Sequence, residues 1–210
     1  MSRVVISRIF SLCGILAPLL MIFFILLSAH LTPGYSHIND TVSKLSEQGS
    51  LHPELMTAGF VVYGTLVIGF SYALYLRLRH GYKAYIACLA MMLYGICMIL
   101  AGVFQDIPGG KEVPLNTEGI VHNAVIIISC FSFLIGMWAF AGSVYRRPAW
   151  FGFTWFTIIA SIIGLVLSII FAVQSYVPAS GLLQRLFYLV LLCWIEIVSV
   201  WLFRLTFKKE

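Results

Sequence analysis

The sequence predicts an all-α, polytopic membrane protein: one bundle of six transmembrane helices with both termini in the cytoplasm. Three observations carry that reading. Of 210 residues, 61% are hydrophobic and 10% charged, with a mean hydropathy of +0.99. Ordinary globular domains are about 45–50% apolar and about 25% charged, and a soluble fold of this size could not cover so much apolar surface with polar groups. Second, six apolar runs each reach the roughly 20 residues that cross a bilayer, which makes residues 1–210 a single domain. Third, the basic residues segregate to one side of those runs.

The first run, residues 9–31, follows Arg3 and Arg8. A signal peptide would have an apolar core of about 7–15 residues and a small-x-small cleavage site, so this run reads as a retained helix. The remaining spans are 55–76, 84–104, 119–145, 150–173 and 182–205. Arg3, Arg8, Arg77, Arg79, Lys83, Arg146, Arg147, Arg204, Lys208 and Lys209 then fall on one side, against Lys44, Lys111 and Arg185 on the other. By the positive-inside rule both termini are cytoplasmic, and a multi-pass protein of a bacterial plasma (inner) membrane is expected. The net charge of +5 therefore records topology. No polar stretch interleaves bases with aromatics, so no nucleic-acid partner is expected.

The five cysteines all lie within apolar runs, without a Cys-x-x-Cys pair, and read as packing residues. Ala160, Gly164, Ser168 and Ala172 recur every fourth residue in the fifth span, and Cys88, Gly95 and Gly102 every seventh in the third. Such stripes let helices approach closely in lipid. Packing within the bundle is the first expectation, a homo-oligomer or membrane-protein partner the second.

Polar chemistry collects on the opposite side. Asp40, Glu47, Glu54, Asp106, Glu112 and Glu118 lie there with His30, His37, His52 and His122. The positive-inside rule leaves acids almost free to occupy either face, so this bias is informative. Ile38, Val42 and Leu45 are spaced i, i+4, i+7, which predicts a short helix lying on the bilayer. Asp40 and Lys44 are spaced for a helical ion pair. His122, one turn inside the fourth span, should face protein or a water-filled cavity. Arg185 should snorkel or find a carboxylate, Asp106 or Asp40.

These residues define a candidate extracytoplasmic cavity. His122 is the candidate base, Asp106 the group that orients it, and Ser43 a candidate nucleophile. His37, Asp40, Gln184 and Arg185 are candidate binding residues, with Arg185 suited to an anionic head group. His37, Asp40, Asp106 and His122 are the side chains that would hold a metal ion such as zinc if they converged, but no ligand-spacing motif accompanies them and no metal is assigned. Glu196, the one acid inside a span, reads either as part of a proton path or as a protonated side chain donating to a neighbouring helix.

The same segments carry a resemblance. His37 with Ser43-Lys44-Leu45 and Gly49, Gly102-Val103-Phe104 with Asp106, Pro108 and Gly109, Gly119-Ile120-Val121-His122, and Gly181-Leu182-Leu183-Gln184-Arg185 occur in order along the chain. In this set the sequence resembles the six-helix membrane proteins of domain-of-unknown-function family 998. Ser46 stands where that family more often has glycine, and Gln105 where it often has proline. The resemblance implies the fold, the topology and an outer polar cluster, and implies no reaction. A looser similarity to DRAM- and Sfk-type six-helix proteins leans the expectation towards lipids. The expected function is a cavity that binds, and acts on if it is catalytic, a lipid or other amphiphile. The alternatives are a non-catalytic scaffold or partner subunit and a proton-coupled transporter using Glu196.

Overall fold

The computed structural model describes residues 3–78, 81–108, 116–174 and 178–207. Arg79, Gly109, Lys111, Glu112, Lys208 and Lys209 lie outside them. Six helices are long and apolar enough to cross a membrane, as composition predicts. They are α1 (Arg3–His30), α2 (Pro53–Leu78), α3 (Tyr82–Val103), α4 (Thr117–Val144), α5 (Phe153–Gln174) and α6 (Ser180–Leu205), and there is no strand among the described residues.

The helix ends follow local chemistry. Pro53 opens α2, where its missing N–H costs nothing and its fixed φ is already helical. The Asn116 side chain accepts from the Gly119 amide and caps α4, satisfying one of the unpaired first-turn donors. The fifth helix starts later than predicted, because Pro148–Trp150 form a 3-10 turn and Gly152 takes a positive φ of 83° before Phe153.

At the end of the bundle that carries both termini, several bases cap helices. Arg77 donates to the Leu205 carbonyl, Arg147 to the Leu78 carbonyl, and Arg8 to Thr206 while stacking over the Phe207 ring. Last-turn carbonyls lack helical partners and carry the negative end of the dipole, so these cations close the helix ends that they meet. Above them the core is aromatic. Trp194 of α6 meets Phe70 of α2 and Phe133 and Phe140 of α4 edge-on, at centroid distances of 6.3, 5.6 and 5.3 Å. Its indole N–H donates to Thr157 of α5 at 3.0 Å.

The small-residue stripes are used inside the bundle. A Cβ on Gly95 would come within 2.7 Å of the Gly64 carbonyl, and one on Gly64 within 2.4 Å of the Gly95 carbonyl. The backbones of α2 and α3 therefore touch there. Gly164 faces Val190 and Leu191 of α6.

The loop from 31 to 52 departs from expectation. No amphipathic helix forms; only Ser43–Leu45 make a 3-10 turn. Ile38 is 56% exposed, while Val42 and Leu45 are 0% and 2% exposed, so the three do not share one face. Tertiary hydrogen bonds take the place of helical ones. Val42 N–H donates to the Gln184 side chain, Ser180 Oγ to the Asn39 carbonyl, and Leu182 N–H to the Ile38 carbonyl. The loop thus caps α6 and lies across the bundle as a lid.

Candidate functional site

Beneath the lid lies a cavity of about 1100 Å³, walled by α4, α5 and α6, with residues of α2 and α3 contributing to its lining. Periodicity puts its lining on single helix faces. His122, Ile126, Ser129 and Cys130 follow i, i+4, i+7, i+8 along α4, and Gln184, Phe187, Tyr188 and Leu191 follow i, i+3, i+4, i+7 along α6. Leu165, Ser168, Ile169 and Ala172 supply the α5 wall, so the outer half of that small-residue stripe faces the cavity.

The lining changes character with depth. The lid brings Asn39, Asp40, Thr41, Ser43, Lys44 and Glu47, joined by Asp106, His122, Asn123 and Gln184. Further along the helices stand Met98, Phe131, Leu134, Leu165 and Leu191. From His122 to Leu134 the α4 wall runs about 18 Å at 1.5 Å per residue. One leaflet of a hydrocarbon core about 30 Å thick has a similar depth.

Five of the sequence-predicted site residues line this cavity: Ser43, Asp40, Asp106, His122 and Gln184. His122 is buried, as expected, but its partner differs. Nδ1 lies 2.8 Å from the Phe104 carbonyl and 3.1 Å from that of Ala101. Two carbonyls can only accept, so Nδ1 carries the proton, and in the neutral ring Nε2 holds the lone pair. Asp106 does not orient this ring; its Oδ1 accepts from the Ile107 amide and its carbonyl from the Gln48 amide. The frayed last turn of α3 offers His122 unpaired carbonyls closer at hand. Ser43 Oγ lies 3.2 Å from Thr41 Oγ1, in a hydroxyl pair.

Arg185 and His37 are not part of the lining. The Arg185 guanidinium donates to the carbonyls of His37, Asp40 and Gly181 at 2.9, 2.8 and 3.0 Å, and to the Tyr35 hydroxyl. It finds carbonyl oxygens where a carboxylate was expected, because the lid turns its backbone towards α6. His37 is exposed and packs edge-on against Tyr35. Among the described residues no three His, Cys, Asp or Glu side chains stand together as a metal would need; His37, Asp40, Asp106 and His122 do not converge. Glu196 lies outside the cavity lining. Its Oε2 is buried without a hydrogen-bond partner, so the expected donation to a neighbouring helix is not made.

The lid is stitched down on both sides. Against α6 it uses Arg185, Gln184 and Gly181, where an added Cβ would come within 2.2 Å of the Asp40 carbonyl oxygen. Against α4, the Gln48 amide donates to Glu118 at 2.9 Å and its side-chain oxygen accepts from Asn116 at 3.3 Å. Within the lid, Lys44 Nζ meets Asp40 Oδ1 at 2.6 Å without an α-helix between them. Burial pushes the Asp40 carboxyl up, but bonds from Lys44 and the Ser36 amide, with the Lys44 and Arg185 charges, outweigh it and hold it below the ordinary value. Burial pushes the Glu47 carboxyl above its ordinary value; Lys44 opposes this, and the Asp106 and Asp40 charges add to it.

Asn123, Tyr94 and Tyr188 also line the cavity and were not singled out from sequence. The i, i+4, i+7 stripe through Gln184, Tyr188 and Leu191 was the available signal for Tyr188. Tyr94 hydrogen-bonds Tyr63 at 3.0 Å in the core, a contact between helices that no local pattern announces.

No curated protein and no solved structure matches this chain. The model of the family described as "Protein of unknown function (DUF998)" matches residues 15–201. With the six-helix fold and the matched span both in place, the chain belongs to the DUF998 family, as an integral multi-pass membrane protein.

Proposed function

We propose that this protein binds a lipid in the cavity under the 31–52 lid. The carrying observation is the polarity gradient: charged and amide groups at the lid, then about one leaflet's depth of apolar wall. A small polar solute would leave that wall unfilled, and a purely apolar one would strand the buried polar groups of His122 and Gln184. With both termini in the cytoplasm of a bacterial plasma membrane, as the distribution of bases favours, the cavity stands in the outer leaflet. Its α4–α5 side is the route by which a lipid enters. The α5 span is only 22% buried inside the structure, against 44–56% for α2, α3, α4 and α6.

Binding is better supported than chemistry on the lipid. His122 has the tautomer of a general base, but Ser43 pairs with Thr41 and no carboxylate orients the imidazole. The alternatives have less behind them. The glycines of the α3 stripe and Gly164 of α5 face neighbouring helices, which removes them from a scaffold surface. Glu196 lies away from the cavity, which weakens a proton-coupled transporter.

Native mass spectrometry of the full chain, gently solubilised from its membrane, tests the reading. One lipid per chain should be retained, and Ser168→Trp, which fills the α5 wall, should remove it while leaving a folded monodisperse protein. A lipid-free wild type, or the same lipid retained by the Ser168→Trp variant, overturns it.

A further inference from the structure

Resting on that reading, we infer that the cavity selects a lipid whose head group bears a primary amine, in preference to an anionic one. The charges that line it decide this. Of the four lid-side ionised groups, Lys44 and Asp40 neutralise each other at 2.6 Å. Glu47 and Asp106 remain, with no basic partner within ion-pair distance among the described residues. Arg185, the cation that sequence offers to an anionic head group, is outside the lining and turns its terminal nitrogens to the lid carbonyls of His37 and Asp40, the Gly181 carbonyl of α6 and the Tyr35 hydroxyl. An anionic head group would enter beside two carboxylates and find the lining's lysine already engaged.

Two buried side chains point to a hydrogen-bonding ligand independently of those acids. His122 is 2% exposed and Gln184 7% exposed, and both line the cavity. Each is anchored through one atom only: His122 through Nδ1 to the α3 carbonyls, Gln184 through Oε1 to the Val42 amide. His122 Nε2, an acceptor, and Gln184 Nε2, a donor, have no protein partner among the described residues. Both atoms are open to the cavity, so a ligand that fills it must supply their partners. A protonated primary amine supplies N–H donors to the lid-side carboxylates, Glu47 and Asp106, and the phosphate or ester oxygens of the same head group accept from Gln184. A quaternary amine has no N–H to give and is recognised by aromatic cages, whereas the lid end of the cavity is lined by carboxylates, hydroxyls and amides.

Competition among three lipids with identical acyl chains tests the inference. The full-length protein, delipidated in detergent, is offered equimolar phosphatidylethanolamine, phosphatidylcholine and phosphatidylglycerol, and bound lipid is read by native mass spectrometry. Phosphatidylethanolamine should exceed each of the others by about tenfold, the value of one charge-assisted hydrogen bond. In the isosteric Glu47→Gln/Asp106→Asn variant the preference over phosphatidylglycerol should be lost. Equal or greater retention of phosphatidylglycerol or phosphatidylcholine by the wild type overturns the inference, as does a preference that survives the double variant. Either result leaves lipid binding intact provided Ser168→Trp still abolishes it. Loss of all lipid from the wild type sinks the cavity reading instead.

Discussion

The two ends of this bundle are built from similar apolar helices and differ in what closes them. At the terminal end, Trp194 fills the centre against Phe70, Phe133 and Phe140, and arginines cap neighbouring helices. At the lid end, α4, α5 and α6 stand apart around the cavity, and closure falls to a loop held by hydrogen bonds. In lipid, hydrophobic exclusion no longer drives helices together, so a gap costs lost dispersion contacts and any unpaired polar groups. The aromatic end keeps those contacts. The lid end gives them up over about one leaflet and gathers polar groups at its top.

Truncation should separate the ends most sharply. Trp194→Ala is expected to cost about 3–5 kcal/mol, as large-to-small core substitutions do. Phe131→Ala, on a cavity wall and 63% exposed, should cost under about 1 kcal/mol while altering lipid retention. Thermal midpoints of the two purified variants decide, and equal losses would erase the contrast.

Next in size is Gly181→Val. Its side chain would collide with the Asp40 backbone, so the lid should lift from α6 and protease cleavage within 31–52 should accelerate. The terminal end should stay folded, because its contacts are elsewhere. Arg185→Lys should follow, losing about 1–3 kcal/mol: an ammonium has no planar fork to reach three carbonyls and the Tyr35 hydroxyl together. Unaltered lid protection in this variant would show that the guanidinium geometry is unimportant.

A pH titration gives a smaller, graded effect. The folded Glu47 carboxyl titrates above its ordinary 4.5, so its negative charge is fully present only above that raised value. As pH falls from 7, selectivity for the amine lipid should weaken at a higher pH than for an ordinary glutamate. The groups facing it are Lys44 and Asp40 of the lid and Asp106 beyond α3, with His122 in the same cavity. The window should vanish in Glu47→Gln. Smallest of all is Lys44→Ala. Its partly exposed ion pair with Asp40 should contribute at most about 1 kcal/mol, readable as a shift of a few degrees or less in the thermal midpoint.

How far the sequence reached is clearest at particular residues. The six spans were legible because about 20 apolar residues in a row have one stable use, and the observed ends differ from the expected ones by a few residues. His122 was legible as an inward-facing group for the same reason, since lipid leaves an imidazole unpaired. The lid was not. Ile38, Val42 and Leu45 have helical spacing, yet Val42 N–H bonds Gln184, 142 residues away in sequence. Arg185 shows the same gap: a cation near a span's end suggests a carboxylate, but lid carbonyls reached it first.

By itself the sequence determined class, helix number, the segregation of bases and which segment would collect the polar groups. Those properties are sums over local composition, and lipid enforces them span by span. Tertiary structure alone decided that Trp194 fills one end while the other stays hollow. It also decided that Gln184 and Arg185 bind the lid, that His122 takes its proton's partner from α3, and that Glu47 and Asp106 line the cavity without a basic partner among the described residues. Each of these depends on which helix stands across from which. Hydrogen bonds and dispersion act over a few ångströms, so their partners are set by the packed bundle and not by neighbours in the chain.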